Sequence, residues 1–115
     1  MYCFDTNIYT KSITKLSQLE YFFKEFKLSV IKDNETKFLS LSNKTLANLP
    51  ANKWIKSAKS GFEFSSLQEE ISSATVYSKD ANTKTIDFAS TINCFFEFKL
   101  TKNGWRLNNI IYYAD

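Results

Sequence analysis

Few side chains of this 115-residue chain could carry acid–base or covalent chemistry. His is absent, and the two cysteines, Cys3 and Cys94, stand near opposite ends. That excludes a zinc site of the usual ligand type and any triad or general base built on imidazole. No cofactor and no metal is expected. Cys94 has no basic neighbour in the sequence that would hold a thiolate, so it reads as a small buried hydrophobe. A disulfide between Cys3 and Cys94 is the other reading; it would close almost the whole chain into one loop and would need oxidising surroundings. Glu69 and Glu70 are adjacent and read as a solvated turn, because neighbours on a strand point to opposite faces and cannot share a proton.

The charge is equally sparing of function. The net charge of +3 comes from fourteen lysines and one arginine, Arg106, against 12 acids. Lys37, Lys44, Lys53, Lys56 and Lys59 follow one another without an intervening acid, which predicts a weakly basic face. Without an arginine cluster or interleaved aromatics, that face reads as solvated and argues against nucleic acid as a partner. No apolar run reaches the roughly 20 residues a membrane helix needs, and the first fifteen residues lack the apolar middle of a secretory signal. The chain therefore reads as soluble, and as extracytoplasmic if Met1 replaces a removed signal. Asn34-Glu-Thr36 and Asn43-Lys-Thr45 match the glycosylation acceptor pattern, which is short enough to arise by chance and decides no compartment.

These residues must be positioned by a packed core, and the composition provides for one. Hydrophobic residues make up 43% of the chain and aromatics 17%, with only 2 Gly and 1 Pro, so a single domain over residues 1–115 is expected, with 1–15 as an N-terminal extension. Leu19, Phe22, Phe23, Phe26 and Val30 recur at helical spacing, behind a capping box at Ser17 and Glu20 and a staple of Leu16 with Tyr21. Asp33 or Asn34 caps a second short helix carrying Phe38, Leu39 and Leu41. Trp54, Ile55 and Ala58 fit either a further helical turn or an approach to the sheet.

From Phe62 the period changes to two. Phe62 and Phe64 predict a short strand, Ile71 to Lys79 another, and residues 85–101 one long strand bent near Ala89 and Ser90. In that strand Ile86, Phe88, Ser90, Ile92, Cys94, Phe96, Phe98 and Leu100 share a face. Asn103-Gly104 predicts a two-residue hairpin turn, which places Phe98 opposite Asn109, Phe96 opposite Ile111 and Cys94 opposite Tyr113. In this register Ser90, Cys94, Asn109 and Tyr113 are the polar members of the inward face, and Phe95, Ile110 and Tyr112 lie together on the outer one.

The order of a long aromatic-rich helix, Leu19-Glu-Tyr-Phe-Phe-Lys-Glu-Phe26, a short helix with Phe38-Leu39-Ser-Leu41, and a sheet ending in Phe96-Glu-Phe-Lys-Leu-Thr-Lys-Asn-Gly-Trp105-Arg-Leu-Asn-Asn-Ile110 resembles the NTF2-like, or cystatin-like, superfamily. The helix end, an aromatic pair and then Val30-Ile-Lys-Asp-Asn34, is also similar to small bacterial members found outside the cytoplasm. The resemblance implies an α+β fold in which N-terminal helices pack into a strongly curved antiparallel sheet, the NTF2-like cone. It also implies that any catalysis would occur inside the cone. The scaffold hosts isomerases, dehydratases and many non-catalytic domains, and no acid shares the inward face, since Asp87 and Glu97 have the opposite parity. The chain is therefore expected to bind rather than catalyse. Ser90, Cys94, Asn109 and Tyr113 would line a small pocket for an apolar ligand, and Phe95, Ile110 and Tyr112 would form a sheet-face interaction surface. An outward aromatic patch predicts cover, and pairing of two copies sheet to sheet, common in the superfamily, is the expected form. A cone-pocket enzyme of the isomerase or dehydratase kind and a partner-neutralising immunity or inhibitor protein are the alternatives.

Overall fold

A computed structural model describes residues 18–114. The capping box at Ser17, the staple residue Leu16, the extension 1–15 and Cys3 lie outside the described residues. Helix α1 runs over residues 18–31, with Phe22, Phe23, Phe26 and Val30 buried along one side. It closes through Asp33, whose φ of 52° turns the chain left-handed, while the Asn34 amide donates to the Ser29 carbonyl at 2.8 Å. The Asn34 side chain then accepts from the Lys37 amide at 3.1 Å and starts α2, Glu35–Ser40. One residue thus ends one helix and caps the next, fixing the angle between them.

A small hairpin follows, β1 (Thr45–Leu46) and β2 (Leu49–Pro50), whose turn residues Ala47 and Asn48 both have positive φ. Pro50 comes immediately before α3, Ala51–Ser60, where a fixed φ and a missing N–H cost nothing. Trp54, Ile55 and Ala58 are its buried face. The strand expected at Phe62 and Phe64 is instead the start of α4, Glu63–Glu70, which leads into a 3₁₀ turn, Ile71–Ser73. Phe64, Leu67 and Ile71 are buried there and Phe62 is exposed, so the helical spacing of those three overrides the two-residue alternation of the phenylalanines.

The remaining strands form an antiparallel meander in the order β3-β4-β5-β6: Val76–Asp80, Thr83–Asp87, Cys94–Thr101 and Gly104–Tyr112. The single long strand expected over 85–101 is two neighbouring strands joined by a helical turn, α5, Ala89–Ile92. Asp87 Oδ1 accepts the Ala89 amide at 2.9 Å, the Phe88 amide donates to the Cys94 carbonyl at 2.9 Å, and Asn93 reverses the chain at φ 57°. Ile86, Phe88, Ile92 and Cys94 are all buried through this reversal, so the apolar alternation persists although the extended backbone does not.

The protein is α+β, and its core lies between the helices and one face of the four-stranded sheet. Phe26 meets Phe98 at 5.1 Å, Phe38 at 5.5 Å and Phe96 at 6.2 Å, while Phe88 and Trp54 flank Phe96 at 5.0 and 5.9 Å. The β6 edge is sealed by a parallel bridge at Ser42: the Asn43 amide donates to the Leu107 carbonyl, and the Leu107 amide to that of Leu41, both at 2.8 Å. Arg106 Nη2 reinforces the seal by donating to the carbonyls of Ser40 and Ser42. The single arginine is thereby structural. Among the described residues no helix is long and apolar enough to cross a membrane.

Phe96 touches the helices, α5 and the neighbouring strand at once. Phe96→Ala is expected to lower unfolding free energy by about 3–5 kcal/mol in urea titrations. Tyr21→Ala, on the exposed side of α1, should change it by less than about 0.5 kcal/mol.

Candidate functional site

The final hairpin decides which side chains face the core. Its loop is Lys102-Asn103, one residue earlier than expected: Thr101 pairs with Gly104 and Leu100 with Trp105. The positive φ of 101° falls on Gly104, after the turn, and Thr101 Oγ1 accepts from the Asn103 amide inside it. A second shift follows. Phe98 faces Leu107 but Glu97 faces Asn109, so Asn108 is an extra residue in β6. Beyond it Phe96 faces Ile110, Phe95 faces Ile111 and Cys94 faces Tyr112.

The bulge inverts the expected faces of the last strand. Ile110, expected outside, is buried in the core, and Tyr112 lies on the core side. There Trp54 Nε1 donates to the Tyr112 hydroxyl at 3.1 Å, and that hydroxyl donates to Glu63 Oε2 at 3.1 Å. Tyr113, expected inside, lies on the outer face beside Phe95, ring to ring at 5.4 Å. Ser90 is exposed on α5 because the strand expected there is a helical turn. Asn109 is half-buried, and its Oδ1 accepts the amides of Ala47 and Ile110, each at 2.9 Å, so it pins the β1–β2 turn to β6. Ser90, Cys94, Asn109 and Tyr113 are consequently not brought around one space. Only Cys94 of the four is buried. Ile110 and Tyr112 likewise leave the outer patch, where Phe95 remains.

What occupies the outer face is a trough of about 430 Å³ lined by Tyr77, Lys79, Thr85, Asp87, Phe95 and Tyr113. Its floor is β4, with Thr85 and Asp87; Tyr77 on β3 is one wall, and Phe95 with Tyr113 the other. Asp87 stands directly opposite Phe95 in the register. The Tyr113 hydroxyl donates to Asp87 Oδ1 at 3.0 Å. Partial burial and this carboxylate both raise the Tyr113 pKa, holding the phenol neutral. Tyr77 is 56% exposed and Tyr113 39%. Sequence reasoning missed Tyr77, Asp87 and Tyr113 as a group because their association requires both the Asn108 bulge and the reversal at α5.

On the core side, burial pushes the Cys94 thiol up to about 12, and the carboxylates of Glu63 and Asp87 add to the shift. It is no nucleophile at neutral pH. Burial also pushes the Tyr112 hydroxyl up to about 12, opposed by the Trp54 N–H and aided by the charge of Glu63. Of the lysines expected to form a basic face, Lys37 pairs with Glu25 at 3.2 Å and Lys59 with both Asp33 and Glu35. Among the described residues no group of three or more Cys, Asp or Glu side chains could hold a metal ion.

In a Cys3→Ser variant, Cys94 should react with a disulfide reagent only as fast as the domain opens, measured by absorbance at pH 8. A second outcome concerns alkaline pH. The folded pKa values of Tyr112 and Cys94 stand above their unfolded ones, so their contribution is complete below about pH 9, and it falls as pH rises toward 12. Urea titrations of Tyr112→Phe between pH 9 and 12 should show a shallower loss of stability than the parent.

No family model, curated protein or solved structure matches the chain. What the outer face does has to follow from its own residues.

Proposed function

We propose that this chain is a non-catalytic binding domain of the NTF2-like kind, and that the outer sheet face is its contact surface for a second copy of itself. The observation that carries the reading is the trough: two tyrosines and a phenylalanine line one open groove on the sheet face opposite the helices. A monomer gains nothing by leaving such a patch in water, whereas self-pairing buries it twice over. The α+β order, helices followed by an antiparallel meander, is the part of the NTF2-like reading that the fold carries.

The same geometry disfavours catalysis. An enzyme of the isomerase or dehydratase kind needs an acid in an enclosed cavity between helices and sheet. Phe26, Phe88, Phe96 and Phe98 pack against one another in that space. Asp87, the acid in the trough, is exposed and already accepts two hydrogen bonds through Oδ1.

Sedimentation equilibrium of the full chain tests the reading. A concentration-dependent dimer is expected, with Tyr77→Lys raising the monomer fraction while thermal unfolding of the dilute protein stays unchanged. A parent chain that remains monomeric at high micromolar concentration refutes it.

A further inference from the structure

The trough is chemically polarised along its length. At one end Asp87 lies next to Phe95, its register partner, and Tyr113, which donates to it, and at the other stands Lys79. Tyr113 and the Ala89 amide both engage Asp87 Oδ1, and among the described residues Oδ2 makes no hydrogen bond or ion pair. Lys79 likewise makes no side-chain hydrogen bond or ion pair among the described residues, in contrast to Lys37 and Lys59. A carboxylate with one open oxygen beside two aromatic rings favours an alkylammonium ion through charge and ring quadrupole together. The walls suit it. Tyr77 and Phe95 stand on strands two apart, roughly 9–10 Å at the sheet's spacing, which leaves room for one such group between the rings.

We infer that the Asp87–Phe95–Tyr113 end of the trough is an ammonium site and that its occupant is the partner's Lys79 in a two-fold pair. This rests on the self-pairing read above. The register supplies the geometry. Val76 faces Ile86 and Tyr77 faces Thr85, so Asp87 is level with Thr75, and Lys79 lies four residues along, roughly 13 Å at about 3.3 Å per residue. That distance is too long for Lys79 to fold back onto its own Asp87. A two-fold axis between the sheets, perpendicular to the strands and level with Tyr77, exchanges the two ends. Each Lys79 then stands across the gap from the other copy's Asp87, level with it and offset by one strand, and two ion pairs form by symmetry. Sheet faces pack about 10 Å apart, a gap that an extended lysine spans for most of its width. An axis parallel to the strands would instead bring lysine to lysine; across the perpendicular axis Glu97, level with Thr85 and Tyr77, meets its own copy, its Oε1 engaged by Asn108 Nδ2. Pairing through the β3 edge is disfavoured by the bulge between Ser78 and Asp80 and by the charge of Lys79 on that short strand.

A double-mutant cycle read by sedimentation of the full chain tests the assignment. Lys79→Ala removes the ammonium; Asp87→Asn removes the charge yet keeps an acceptor for Tyr113 and Ala89. Each single change is expected to weaken dimerisation about tenfold, and the double variant no further than either single one, because the two residues act on one contact. Thermal unfolding at a concentration where all variants are monomeric reports folding separately. Losses that simply add, or single variants that dimerise like the parent, overturn the Lys79–Asp87 assignment and leave self-pairing standing. A monomeric parent overturns self-pairing itself and the assignment with it.

Discussion

One extra residue in the last strand governs the disposition of this molecule. At Asn108 the β5–β6 register slips by one, so the side chains of β6 exchange faces halfway along the strand. Before the slip, Trp105 and Leu107 point to the core; after it, Ile110 does, and Tyr113 is released to the outside. The bulge is held on several sides. Asn108 Nδ2 donates to Glu97 Oε1 at 2.9 Å, Asn43 Nδ2 donates to the Asn108 carbonyl at 3.3 Å, and Asn109 Oδ1 accepts the Ala47 amide. The small β1–β2 hairpin and the loop after α2 thus lock a kink in the sheet on which the identity of both faces depends.

The consequence is a molecule with two unlike sides. Toward the helices, a continuous slab of rings from Phe22 to Phe98 takes up the space, edge to face in most pairs, which is the geometry that aromatic quadrupoles favour. The buried hydroxyls of Ser29 and Ser42 are bonded, to the Phe26 and Phe38 carbonyls, and the Trp54–Tyr112–Glu63 chain lies at the margin. Away from the helices, rings and charges stay in contact with water. The interior is thereby devoted to packing, and the proposed contact surface lies on a strand scaffold. Strands hold side chains in fixed register more firmly than loops do.

Charge is divided in the same way. Lys37 and Lys59 are spent on acids of the helical half, and Arg106 on the carbonyls that seal the β6 edge. Of the cations left on the sheet, Lys79 is the one that lines the aromatic trough.

The helical half was legible in part because its signals are local. The three-and-four spacing of α1 and the Asn34 cap need only neighbouring residues to be read. Phe22, Phe26, Phe38, Phe96 and Phe98 likewise announce a core by type and spacing, and antiparallel pairing of the last two strands followed from the turn residues. Three features were decided by tertiary structure. Alternation from Ile86 to Cys94 is the same whether the chain runs straight or reverses through α5, because both bury the same residues. The position of the last turn depends on whether the left-handed residue lies within it or after it, and both Asn103 and Gly104 allow either. The slip at Asn108 leaves no mark in the pattern Leu-Asn-Asn-Ile-Ile, where apolar residues of both parities are present, and only contacts from Asn43, Ala47 and Glu97 choose which asparagine is extra. Composition and local period therefore determined that there is an aromatic core under an antiparallel sheet, while long-range hydrogen bonds decided which tyrosine and which carboxylate share the open face.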